Sequence, residues 1–75
     1  MIPFADRLQQ ARNQKGLKQK EVAEHLGITP RAYQYYEGGR RRPDYETLVA
    51  LADLLEVSTD YLLGRTDRQE SSPHT

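Results

Sequence analysis

The stretch VAEHLGITPRAYQYYEGG, Val22–Gly39, carries a stop signal, a start signal and a second stop signal in quick succession. Gly27 suits the left-handed residue that closes a helix. Thr29 then offers an N-cap oxygen, and Pro30 suits the first helical position, where its missing N–H leaves no bond unmade. Gly38 and Gly39 end the segment that follows. Only Gly27 and Ile28 separate the first helix from the cap of the second. Ala23 is small and sits where a second helix would have to cross closely, and Ile28 is placed to plug the gap between the two. Two short helices joined by a tight glycine turn are a helix-turn-helix candidate.

The second of these helices has two faces on a helical wheel. Ala32, Tyr33 and Tyr36 point one way, toward a core, and Pro30, Arg31, Gln34 and Tyr35 point outward. Taken alone, an Arg-x-x-Gln pair on a surface helix is ordinary solvated polarity. In a helix-turn-helix the same outward face enters the DNA major groove. There arginine pairs bidentately with guanine O6 and N7, and glutamine with adenine N6 and N7. Tyr35 can reach a phosphate with its hydroxyl or a thymine methyl with its ring. The run Arg40, Arg41, Arg42 follows the glycine pair. It is either a solvated charge run or a set of phosphate contacts, and phosphate neutralisation dominates DNA affinity. Lys18, Lys20 and Thr29, near the starts of the two helices, are further phosphate candidates.

Helical signals extend on both sides, and no segment alternates as a strand would. A helix is predicted over Phe4–Lys15, closed by Gly16, with Phe4, Leu8 and Ala11 on one face and Ala5 and Arg12 flanking it. The helix before the glycine turn spans Gln19–Leu26, with Val22, Ala23 and Leu26 on one side and Lys20, Glu21, Glu24 and His25 on the other. A fourth spans Tyr45–Leu55, capped by Asp44, with Leu48, Leu51, Ala52 and Leu55 as its stripe. A short fifth starts at the cap Ser58 and ends at Gly64, with Tyr61, Leu62 and Leu63 as apolar contacts. The fold class is therefore all-α, a compact five-helix bundle. One domain is expected over residues 1–66. The polar ending, 67–75, has no apolar anchor and is expected to be a disordered tail or the start of a linker.

The net charge is zero, yet residues 1–42 carry nine basic and four acidic groups, and residues 43–75 carry two and seven. A basic half beside an acidic half suggests one face for a polyanion. There is no cysteine, so no disulfide or thiolate site forms, and His25 and His74 lie far apart, so neither metal nor cofactor is expected. No segment approaches the ~18 apolar residues of a membrane span. A cytoplasmic protein is expected. No nucleophile–histidine–acid set, carboxylate pair or phosphate-cradling loop is present, so an enzyme is not expected.

The segment LKQKEVAEHLGITPRAYQYYEGGRRRPDYETLVALADLLEVSTDYLLG resembles the DNA-binding domain of phage repressors and Cro, the XRE family, over about residues 4–66. The family's pattern is met by Gln19, Ala23, Gly27, Glu37, Gly39 and Pro43, with VSTDYLLG as a typical ending. The resemblance implies a lambda-repressor-like fold. It also implies a bacterial or phage repressor that binds a palindromic double-stranded operator as a dimer. Pro30, Arg31 and Tyr35 then sit where relatives touch bases, with Gln34 beside them. Gln19 resembles a glutamine that contacts a phosphate and braces the recognition helix. Glu37 resembles a glutamate paired with an arginine of the first helix, here Arg12, which the wheel independently places at the edge of the core. Losing one partner of such a pair would cost up to about 3–5 kcal/mol. By analogy, a dimer would use Tyr61, Leu62 and Arg65. An antitoxin or protein-binding adaptor of the same fold, repressing its own promoter, is the alternative.

Three residues depart from the pattern. Pro30 cannot donate a hydrogen bond to a base. Lys18 stands where Ser or Thr usually caps the second helix, and Gly38 where many relatives carry asparagine.

Overall fold

The computed structural model describes residues 3–69. Among them are five helices and no strand: α1 (Phe4–Lys15), α2 (Gln19–Leu26), α3 (Pro30–Glu37), α4 (Tyr45–Leu55) and α5 (Thr59–Leu62). The boundaries follow from local chemistry. Thr29 Oγ1 accepts from the Ala32 N–H at 3.1 Å, and Asp44 Oδ1 accepts from Thr47 N–H at 2.8 Å. Lys18 has no acceptor to offer, so the start of α2 keeps only half of a capping box: the Glu21 carboxylate accepts the Lys18 backbone N–H at 2.8 Å. Gly27 closes α2 at φ 71°, and the next N–H, from Ile28, returns to Ala23 O at 3.0 Å. α4 ends without a glycine. Glu56 takes the left-handed position at φ 57°.

α5 is a single turn, shorter than the segment expected from Ser58 to Gly64. Its start depends on Ser58 Oγ, which accepts from Tyr61 N–H at 3.0 Å. Replacing Ser58 by alanine is expected to cost about 1 kcal/mol. In a domain of this size that lowers the thermal midpoint by roughly 4–8 °C in a circular-dichroism melt.

The helices close on one core of Leu8, Ala11, Val22, Ala23, Tyr33, Leu51, Ala52, Leu55, Val57, Tyr61 and Leu62, each at most 5% exposed. α2 packs on α3 and α4, and α1 lies across α3, α4 and α5. Ala23 is fully buried on α2, the helix that packs on α3 and α4.

Contacts continue past residue 66. Asp67 pairs with Arg7 at 2.6 Å, and the Ser58 N–H donates to Gln69 O, also at 2.6 Å. Residues 67–69, expected within the tail, thus lie against the bundle. The remainder of that expected tail, 70–75, is outside the described residues. Arg7 itself is 4% exposed, with its guanidinium 4.3 Å from the centre of the Tyr61 ring.

Candidate nucleic-acid interface

The orientation of α3 is fixed by one carboxylate. Glu37, in the last turn of α3, receives the Arg12 guanidinium from α1: Nε–H donates to Oε2 at 2.5 Å and an Nη2–H donates to Oε1 at 3.2 Å. Gln19 of α2 donates its side-chain N–H to Oε1 at 2.9 Å, and the Tyr33 hydroxyl donates to Oε2 at 2.5 Å. Arg12 also donates to the carbonyl of Leu17, at the entry to α2. The Arg12 and Glu37 side chains are 12% and 5% exposed. Three helices therefore meet at a nearly dry ion pair whose carboxylate oxygens are satisfied.

The electrostatics follow from that arrangement. Burial pushes the Glu37 carboxyl upward, but hydrogen bonds from Arg12, Tyr33 and Gln19 outweigh it and hold the group below the usual carboxylate range. Burial, then the bond to anionic Glu37, pushes the Tyr33 hydroxyl far above its ordinary value, so it stays a donor. The bond to Glu37 likewise raises Arg12 against its own desolvation.

With Tyr33 fully buried and Tyr36 half-buried against the core, α3 turns Pro30, Arg31 and Gln34 outward, all three exposed. Tyr35 is half-buried at the edge of that face. Behind it the chain reverses at Gly39, φ 75°, so that the N–H groups of Arg40 and Arg41 both return to the Tyr35 carbonyl at 2.9 and 3.2 Å. Arg40, Arg41 and Arg42 are exposed at this end of α3. Lys18 and Lys20 are exposed at the start of α2, and Thr29, also exposed, is at the start of α3. Of the three arginines, Arg41 reaches the edge of the outward face, with its guanidinium 5.4 Å from the centre of the Tyr35 ring. Lys18 stands at the N-cap of the neighbouring helix and Lys20 lies in its first turn.

Gln19 is half-buried and already engaged with Glu37, which leaves one N–H and the carbonyl of its amide for other work. Tyr61 and Leu62 do not provide a dimer surface. Both are buried, at 3% and 0% exposure, because a one-turn helix needs them to close the core. The outward apolar residue of that segment is Leu63, 43% exposed, and Arg65 is exposed beyond it. Among the described residues no cluster of His, Cys, Asp or Glu side chains could hold a metal ion, and no helix is long and apolar enough to cross a membrane.

A family profile described as helix-turn-helix matches residues 8–62. Among curated proteins, the chain is 50% identical over 60 residues to YqaE of Bacillus subtilis strain 168, an uncharacterized HTH-type transcriptional regulator. That match covers 80% of this chain and 52% of YqaE. It is 48% identical over 66 residues to the HTH-type transcriptional regulator ImmR of the same organism, covering 88% of this chain and 52% of ImmR. The chain thus spans about half the length of these relatives. Among solved structures, the P22 c2 repressor in complex with a synthetic operator superposes with a TM-score of 0.81 at 26% identity. The superposition covers 88% of this chain and all of that one. The profile, the relatives and the Glu37-braced pair of helices agree: the chain belongs to the helix-turn-helix family of transcriptional regulators of the phage-repressor type.

Proposed function

We propose that this chain is the DNA-binding part of a sequence-specific transcriptional regulator, a repressor acting in the cytoplasm, that seats α3 in the major groove of a palindromic operator. The observation that supports this most is the outward face of α3. Arg31 and Gln34 stand exposed on a helix whose opposite side is bolted to α1 and α2 through Glu37. A rigid helix presenting an arginine and a glutamine can read guanine and adenine edges. Pro30 offers only apolar contact, and Tyr35 contributes from the edge of the face. Arg40, Arg41, Arg42, Lys18, Lys20, Thr29 and Gln19 supply phosphate contacts that set register. Selection from a random duplex pool tests this reading. A palindrome with half-sites about one helical turn, ~34 Å, apart is expected. A pool that returns no enriched sequence would refute it.

The palindrome requires a second copy of the chain. Among the described residues the large apolar side chains left exposed are Tyr45 (77%), Val49 (43%) and Leu63 (43%). Leu63 also lines a groove of about 420 Å³ together with Phe4, Tyr36, Leu48, Arg41 and Arg42. Arg65 adds a charge two residues beyond Leu63. Leu63→Glu is expected to shift the sedimentation equilibrium toward monomer and weaken operator binding, while leaving the circular-dichroism melt nearly unchanged. Unaltered self-association would exclude this surface.

A further inference from the structure

The three arginines after α3 are not equivalent. The Arg41 guanidinium lies over the Tyr35 ring, 5.4 Å from its centre. The same two residues are tied through the backbone, since the Arg41 N–H returns to the Tyr35 carbonyl at 3.2 Å. Among the described residues no aromatic ring or carboxylate engages Arg40 or Arg42 in this way. A guanidinium held over a ring by its charge gives up none of its five N–H donors to an acceptor, and those donors are what fork onto phosphate oxygens. Stacking also restricts a long side chain before binding, which reduces the ordering cost on the DNA.

We propose that Tyr35 is a positioning residue for Arg41: its ring holds the guanidinium with its N–H donors presented to a DNA phosphate, so that the two side chains bind as one unit across the junction of α3 and the arginine loop. This rests on the DNA-binding reading above. It also changes the role of Tyr35, which supports a sequence-independent contact besides any contact with a base.

A double-mutant cycle on the whole chain tests it, with Tyr35→Leu, Arg41→Gln and the double variant titrated against a random-sequence duplex. Tyr35→Leu is expected to weaken that binding by about two- to fivefold, as loss of an exposed cation–π contact should. In the Arg41→Gln background the same change is expected to have no further effect. Arg41→Gln is expected to reduce the salt slope of binding by about one, and Tyr35→Phe, which keeps the ring, to restore the original affinity. A Tyr35→Leu loss of equal size in both backgrounds overturns the proposal, as does no loss in either. An NMR arm needs no DNA. The Arg41 side-chain protons are expected to be ring-current shifted in the unsubstituted chain and in Tyr35→Phe, and unshifted in Tyr35→Leu. Absence of that shift refutes the stack itself, whereas failure of the unsubstituted chain to bind any duplex refutes the parent reading while the shift persists.

Discussion

Replacing Glu37 with alanine is expected to lower the midpoint of thermal unfolding at pH 7 by on the order of 15–30 °C. The carboxylate accepts hydrogen bonds from Arg12, Gln19 and Tyr33, on three helices. Its removal leaves the Arg12 guanidinium, only 12% exposed, without a counter-charge, and leaves a fully buried tyrosine hydroxyl unpaired. Breaking one side of a buried pair in this way costs about 3–5 kcal/mol. Whole-domain stability at this length is of similar size, roughly 4–11 kcal/mol. Glu37→Gln, which keeps the shape but not the charge, should lose less. Adding Arg12→Met to Glu37→Ala should recover part of the loss, because the stranded cation is then gone. A drop below about 4 °C in the alanine variant would mean that the pair is solvated after all.

The same carboxylate sets an acid limit. Its folded-state pKa is depressed, so the folded protein binds its proton less readily than the unfolded chain does. The resulting stability is fully present above the ordinary carboxylate range and is lost as pH falls through the depressed folded value. Thermal midpoints measured from neutral to acid pH should therefore fall in the unsubstituted chain. In Glu37→Gln the decline should be shallower, since one linked proton has been removed. Identical profiles would separate Glu37 from the acid response.

Most helix boundaries were legible because their signals are local. Thr29–Pro30 starts α3, and Gly27 ends α2, through bonds within four or five residues. The division of the tyrosines was legible too, because Tyr33 and Tyr36 share one side of a wheel and Tyr35 does not. Side chains that meet across helices were harder. Gln19 reaches Glu37 only because of how α2 crosses α3, so its amide could not be placed from spacing alone. Tyr33 did carry a signal. It stands four residues before Glu37 on the same helix, a spacing at which side chains touch. Arg7 flanks the Phe4–Leu8–Ala11 stripe opposite Arg12, yet its partners Tyr61 and Asp67 lie at the far end of the domain. Tyr61 and Leu62 failed as dimer residues because analogy placed the segment but not its rotation about the helix axis, which turns Leu63 outward instead.

Arg31→Ala should separate reading from holding. Arg31 is exposed, and none of the ion pairs among the described residues includes it, so its removal should leave the thermal midpoint nearly unchanged. On the selected operator, loss of a bidentate arginine–guanine contact is worth about 1–3 kcal/mol, or roughly 5- to 150-fold in affinity. On random-sequence duplex the loss should be small, because a base contact contributes little where the base is wrong. The ratio of the two affinities is therefore the quantity that must fall. A phosphate contact behaves differently: Arg40→Gln or Arg42→Gln should weaken both duplexes together and reduce the salt slope by about one. Repeating the selection with Arg31→Ala should relax a guanine at one position of each half-site and leave the others intact. Gln34 supplies the internal control, since its substitution should relax an adenine at a different position. If Arg31→Ala weakens operator and random duplex equally, the residue sits on the backbone, and base reading passes to Gln34, Tyr35 and the apolar surface of Pro30.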